Sequence, residues 1–284
     1  MSDHSRRTFL ALAGSAAAVA SLPGSLAQAA ESGKPHEPLA NKPALNLGMA
    51  SYSLREFHLD QALEMTRRVD LPRISLKDMH FPLTSTEAEA AALVAKVKHA
   101  GLELSTIGVV YMTSDEEVRR AFTLARWAGI KFIVGAPDER LLPLAERMVK
   151  ETGIGLALHN HGPDNPLYSS PEIAYRRVEK LDRRMGLCID VGHTQRLGID
   201  PAGELLRFAD RVIDMHIKDT SAADKSGTTV EIGRGVVDIP KLLRTAVKLG
   251  YTGTMHFEHE KDPQDPLPGI AESVGYVRGV LAAL

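Results

Sequence analysis

Four short apolar runs in the second half of this chain end in side chains that bind metals or move protons. They are His159 and His161 in GIGLALHNH, Asp190 and His193 in MGLCIDVGH, His216 and Lys218 in VIDMHIKD, and Glu258 and Glu260 in GTMHFEHE. Imidazole and carboxylate together suit a divalent ion that takes three or four ligands and keeps a position open for water or substrate. Asp190, His216 and Glu258 supply three such ligands, and His159 or His161 the fourth. Along a strand every second side chain faces the same way, so His159 with His161, His216 with Lys218, and Glu258 with Glu260 form same-face pairs. Taken singly, a strand histidine is a satisfied core or surface residue, and Asp190 is a turn cap. Four clusters in succession are a different matter, because a buried carboxylate without a partner is costly and a shared ion removes that cost.

The elements that would position these groups alternate along the whole chain. Strand-like runs fall at Leu47–Tyr52, Arg73–Met79, Glu103–Val110, Lys131–Ala136, Gly155–His159, Gly186–Asp190, Val212–Lys218 and Thr254–Glu258. Between them lie helix-period stretches such as TEAEAAALVAKVKHAG and DEEVRRAFTLARWAGI, with an acidic first turn at Ser114-Asp115-Glu116-Glu117 and cap glycines at Gly101, Gly129 and Gly250. Eight such units predict one closed (βα)8 TIM barrel over residues 46–284, in the α/β class. An open doubly wound sheet gives no reason for polar side chains to gather at four successive strand ends, whereas a barrel brings those ends to one rim. Lys77 and His80, at the end of the second strand, and Tyr111, at the end of the third, are placed so that any of them could reach the same rim; Tyr111 could bind a sugar.

CIDVGH, HIKD and FEHE stand as they do in the sugar isomerase/epimerase superfamily, and the ordered set resembles the xylose isomerase-like barrels across the whole region after the N-terminus. That superfamily includes xylose isomerase, ketose 3-epimerases, inosose dehydratase and endonuclease IV. The resemblance implies that Asp190, His216 and Glu258 are metal ligands and that His193 and Lys218 face the substrate. It also implies that the loop Glu231-Ile232-Gly233-Arg234-Gly235 brings Arg234 over the site. Ketose epimerases carry a ligating glutamate where this chain has His159, a departure similar to the inosose dehydratase branch with its HxH strand.

These residues predict an enzyme that uses one divalent metal ion, Mn, Zn, Co or Fe, to move a proton beside the carbonyl of a keto sugar or polyol. Glu258 is the expected base, His161 or His159 the group handling a proton on the other face, and Lys218 and Arg234 the stabilisers of negative charge. A leaving group beta to the carbonyl would turn the same deprotonation into a lyase or hydratase reaction on 3-keto glycosides or related keto sugars. No Gly-rich phosphate cradle is evident, which points to an unphosphorylated sugar. A non-catalytic periplasmic sugar receptor is a further reading, opposed by an aromatic content of only 5% and separable from an enzyme by metal content.

The ends and the bulk composition bound the rest. Ser5-Arg6-Arg7-Thr8-Phe9-Leu10, an Ala-rich stretch to Leu22 and Ala27-Gln28-Ala29 are similar to a twin-arginine export signal, expected over residues 1–30. A polar, Pro-rich arm is expected over 31–45. The expected location is the periplasm or beyond, with no stable membrane span after processing, since no later stretch approaches the roughly 20 apolar residues a span needs. Loss of Arg6, Arg7 and Asp3 would shift the net charge from −2 to −3, no footprint for nucleic acid. The single cysteine, Cys188, lies in an apolar run and reads as a buried thiol without a disulfide. The expected partner is a small sugar, and homo-oligomerisation is left open.

Overall fold

The computed structural model describes residues 45–284. The expected export segment and, except for Leu45, the expected arm lie outside the described residues. Ten strands follow one another: β1 (Asn46–Ala50), β2 (Arg73–Leu76), β3 (Glu103–Met112), β4 (Phe132–Pro137), β5 (Gly155–His159), β6 (Met185–Asp190), β7 (Val212–Ile217), β8 (Asp219–Thr220), β9 (Thr229–Val230) and β10 (Thr254–Phe257). All but β8 and β9 are parallel and close into a barrel in the order β1-β10-β7-β6-β5-β4-β3-β2. The remaining two pair as an antiparallel ribbon, Asp219 opposite Val230 and Thr220 opposite Thr229. The predicted TIM barrel is therefore the fold, and each expected strand is present with its ends moved by a few residues.

Burial explains why the strands are nearly continuous apolar runs. Every residue of β5 and of β6 is buried, because a parallel barrel strand is covered by side chains inside and by helices outside. The outer layer is α1 (Leu59–Arg68), α2 (Glu87–His99), α3 (Asp115–Ala128), α4 (Leu142–Thr152), α5 (Pro171–Val178), α6 (Val191–Gln195), α7 (Pro201–Arg207), α8 (Ile239–Lys248) and α9 (Leu267–Ala282). Each barrel strand is thus followed by one helical segment, except that the segment after β6 is broken into α6 and α7. In α8, Ile239, Leu242, Leu243 and Ala246 are buried at i, i+3, i+4 and i+7, the stripe that seats a helix on the barrel. The capping signals hold as well. Ser114 and Glu117 close a reciprocal capping box on α3, and Gly129 ends that helix with φ of 68°, a conformation glycine adopts without the Cβ penalty. Among the described residues no helix is long and apolar enough to cross a membrane.

Register determines which side chains meet at the C-terminal rim. His159 of β5 lies beside Cys188 of β6, Asp190 of β6 beside His216 of β7, and His216 beside His256 of β10, so four neighbouring strands bring their ends to one rim. The strands stop just short of the expected pairs: β5 ends at His159, β7 at Ile217 and β10 at Phe257. His161, Lys218, Glu258 and Glu260 are consequently loop residues just past the strand ends, with the Glu258 N–H still donating to the Ile217 carbonyl of β7 at 3.0 Å.

Candidate metal centre and active site

His159, Asp190, His216 and Glu258 each place a ligand atom within 4.8 Å of the others, and all four residues are buried. The contacts identify the atoms that converge. His159 Nε2 is 3.2 Å from His216 Nδ1 and 3.4 Å from Asp190 Oδ2, and His216 Nδ1 is 3.2 Å from Glu258 Oε1. Two imidazole nitrogens and two carboxylate oxygens crowded together must either share protons or bind a common cation, and a cation takes the place of those protons. Charge bookkeeping agrees: Lys218 Nζ lies 3.1 Å from Asp190 Oδ2 and 2.8 Å from Glu258 Oε2 and also contacts Glu260, so three carboxylates face one ammonium. Two negative charges are left over, which is the charge a divalent ion would neutralise. The donor set and its geometry therefore fit a single M2+ site.

The titration behaviour has the same origin. Burial, with the neighbouring His216, pushes His159 down to about 4, so at neutral pH it is an uncharged imidazole with a lone pair to offer. Burial also pulls His216 downward, but Glu258, Asp214 and Asp190 outweigh it and raise its pKa. Burial would raise Asp190 and Glu258 and lower Lys218. Their mutual attraction prevails, holding both carboxylates far below the usual carboxylate range and the ammonium above that of an ordinary lysine.

The framework behind these atoms is built from backbone and glycine. Asp190 divides its oxygens: Oδ1 accepts the backbone N–H of His193 at 2.8 Å and caps α6, while Oδ2 faces His159 and Lys218. Asn160, between the two histidines of the HNH run, faces the other way; its Oδ1 accepts the Asp190 N–H at 2.9 Å, and its Nδ2 donates to Thr194 Oγ1. Gly192 is obligatory, since a Cβ there would lie 2.5 Å from Lys218 Cγ and block the path of the lysine.

The structure brings some of the expected substrate groups together and leaves others apart. His161 lies with its ring 4.5 Å from that of His159 and its Nε2 2.8 Å from the half-exposed Tyr111 hydroxyl. Burial and His159 press its pKa to about 3, so the imidazole that shares this hydrogen bond with the tyrosine hydroxyl is neutral. His193 is close by, its ring 6.0 Å from that of His161. Lys218 is held by its three carboxylates instead of reaching freely into solvent. His80 is tied up: its ring nitrogens contact Ser51 Oγ at 3.0 Å and the Phe57 carbonyl at 2.9 Å, pinning the loop after β1. Arg234 is exposed and forked onto Glu272 of α9, with Nε at 2.5 Å from one oxygen and the terminal nitrogen 2.6 Å from the other, not laid over the metal-type cluster.

Three further groups lie at or below the rim, two of them not indicated by the sequence motifs and the third, Lys77, at the rim as expected. Asn160 is one. The second is His256, between Asp214 Oδ1 at 3.0 Å and Ser105 Oγ at 2.7 Å, two residues below Glu258 as Asp214 is two below His216. Strand alternation puts both on the lumen face, and that was the available signal. The third is Lys77, whose Nζ donates to the Val109 carbonyl at 3.0 Å and lies 4.9 Å from the Tyr111 ring centre, its pKa lowered by burial. Cys188 is buried beside Asp214, and burial with that carboxylate raises its pKa well above the ordinary thiol value, as expected of an unreactive thiol.

Fold and site define a class: a TIM barrel with a histidine–carboxylate cluster of metal-binding type on its C-terminal rim. The family model for the xylose isomerase-like TIM barrel matches residues 62–280, and the chain belongs to that family. It is similar to the rhizopine catabolism protein MocC of Rhizobium meliloti, at 32% identity covering 50% of this chain and 47% of the relative. It also resembles an inosose dehydratase of Geobacillus kaustophilus, at 24% identity covering 61% and 72%. The chain thus spans about half the length of the first of these relatives. Two solved structures share the fold: the IolI protein with a bound zinc atom, with TM-score 0.70, 16% identity and coverage of 84% of this chain and 99% of that one; and the 3-keto-D-glucoside 4-epimerase YcjR of E. coli in its apo form, with TM-score 0.68, 15% identity and coverage of 83% and 100%.

Proposed function

We propose that this protein is a divalent-metal-dependent enzyme of the isomerase/epimerase type that moves a proton beside the carbonyl of an unphosphorylated keto sugar or polyol. The observation carrying this reading is the convergence of His159 Nε2, Asp190 Oδ2, His216 Nδ1 and Glu258 Oε1 next to the ammonium of Lys218. A divalent ion held by those four residues supplies Lewis acidity, which makes the hydrogen beside a carbonyl acidic. Glu258, kept ionised, takes that proton; its low basicity is tolerable because the C–H bond is activated. Lys218 faces the negative charge that develops on oxygen, held in place by Asp190 and Glu260. On the other side, the hydrogen-bonded pair of Tyr111 and His161 holds or returns a proton.

Elimination is the second outcome of the same deprotonation. The C–H electron pair forms a double bond to the neighbouring carbon, and a beta substituent leaves with its own bonding pair and collects a proton. A histidine at position 159, together with the likeness to an inosose dehydratase, supports this lyase or hydratase reading. Metal analysis followed by incubation with keto sugars and 3-keto glycosides in deuterated water tests both. Deuterium at one carbon without bond cleavage means epimerase or isomerase, loss of a substituent means lyase or hydratase, and a protein that binds no divalent ion refutes the assignment and favours a sugar receptor. We also infer export through the twin-arginine route, on the strength of Arg6 and Arg7 ahead of an Ala-rich apolar stretch. Replacing both by lysine should retain the protein in the cytoplasm, and unchanged fractionation would refute it.

A further inference from the structure

A cavity of about 250 Å3 with a mixed polar and apolar lining lies alongside the metal-type cluster, walled by His193 and Arg196 of the α6 region and by Thr220, Thr228 and Thr229 of the β8–β9 ribbon. Lys218 and Glu260 line it too; Lys218 also touches Asp190 and Glu258 of the cluster, and Glu260 touches Lys218, so the cavity and the reacting centre share the lysine as a wall.

The wall is preformed. Asp219, fully buried where the ribbon starts, accepts the backbone N–H groups of Thr220, Gly233, Gly235 and Val237 at 2.8–3.0 Å and fixes the chain on either side of β9. Arg196 fixes the opposite edge, bonding Asp164 at 2.6 Å and the Lys225 carbonyl at 2.9 Å.

The lining discriminates among ligands. Its cations are already neutralised, Arg196 by Asp164 and Lys218 by three carboxylates, and the Glu260 carboxylate would repel a phosphate. No Phe, Tyr or Trp ring lines the cavity, so a flat apolar group finds no broad apolar platform. Threonine hydroxyls, an imidazole and a carboxylate are partners for a neutral group rich in hydroxyls.

We propose that this cavity is a second subsite, which binds a further sugar or cyclitol ring attached to the ring that reacts at the cluster, making the substrate a glycoside of two polar rings. This rests on the keto-sugar reading given above and deepens it.

The test compares three probes on the metal-loaded, full-length protein in deuterated water: methyl 3-keto-glucoside, p-nitrophenyl 3-keto-glucoside and 3-keto-cellobiose. Turnover is followed as deuterium uptake or as loss of the substituent. The expected result is a kcat/KM for 3-keto-cellobiose at least tenfold above those of the other two, expressed mainly in KM. The isosteric substitution Thr229→Val and the substitution Arg196→Gln should each shrink that advantage at least threefold, and Thr229→Val keeps the test valid if loss of Arg196 loosens the fold. Equal kcat/KM for methyl and cellobiosyl probes overturns the subsite while leaving the keto-sugar reading intact. An advantage for the p-nitrophenyl probe overturns the polar-ring assignment. Failure of all three probes overturns both readings.

Discussion

Replacing Lys218 by methionine removes the only ammonium among three carboxylates without changing the length of the side chain much. Lys218 is 4% exposed and Asp190 and Glu258 are buried, so water cannot rescue these two carboxylates, although the partly exposed Glu260 can turn to solvent. Removing one partner of a buried ion pair costs about 3–5 kcal/mol. At about 2–4 °C per kcal/mol for a domain of this size, the metal-free variant should melt roughly 6–20 °C below the metal-free parent. The sign reverses for the cation. With a positive charge gone from beside Asp190 Oδ2 and Glu258 Oε2, a divalent ion should bind at least tenfold more tightly, or by about 1.4 kcal/mol. Saturating Mn2+ or Zn2+ should therefore raise the melting temperature of the variant by several degrees more than it raises that of the parent. Differential scanning calorimetry of both proteins, with chelator and with metal, reads the two effects separately. A metal-free variant that melts within about 2 °C of the parent, or a metal-induced rise no larger than the parent's, would refute the account of Lys218 as the counter-charge of an M2+ site.

Glu258→Gln keeps the shape but removes the proposed base, and turnover on any keto sugar that the parent converts should fall by about 10²–10⁴-fold; undiminished turnover would remove Glu258 from that role. Asn160→Ala leaves the Asp190 N–H without its acceptor, so a stability loss of about 1–3 kcal/mol in urea titration is expected, together with weaker metal binding by isothermal calorimetry. A variant as stable as the parent would show that the amide bridge is dispensable. Asp219→Ala orphans four backbone donors, and hydrogen exchange at Gly233, Gly235 and Val237 should rise at least tenfold while exchange in β4 stays slow. Uniform exchange across the chain would instead mean that Asp219 supports the whole barrel.

Much of the barrel was legible because period and punctuation agree. Each strand run was bounded by a helix-period stretch, and the rule that strand ends meet at one rim placed Asp190, His216 and Glu258 together with either His159 or His161; the choice of His159 came only with the structure. What could not be read were partners supplied across space. The attachment of His80 to Ser51 and Phe57 depends on how the loop after β1 folds back, and the grip of Arg234 on Glu272 depends on where α9 docks, 38 residues further on. Neither contact has a local pattern. Lys218 was visible as a rim residue, but its three carboxylates come from two other strand ends, so its confinement was not. His256 and Asp214 were legible in principle: they continue the alternation of Glu258 and His216 one step deeper, below the level at which the motifs drew attention.

The two oxygens of Asp190 have separate tasks, and this has a consequence for the empty and the filled states of the site. Because Oδ1 is committed to the first turn of α6 and the Asp190 N–H to Asn160, the carboxylate cannot rotate away when no cation is present. This ligand is thus set in place before an ion arrives and needs no turn of its carboxylate to bind one, so any adjustment to ions of different size falls to the other three side chains, above all to Glu258 on its loop.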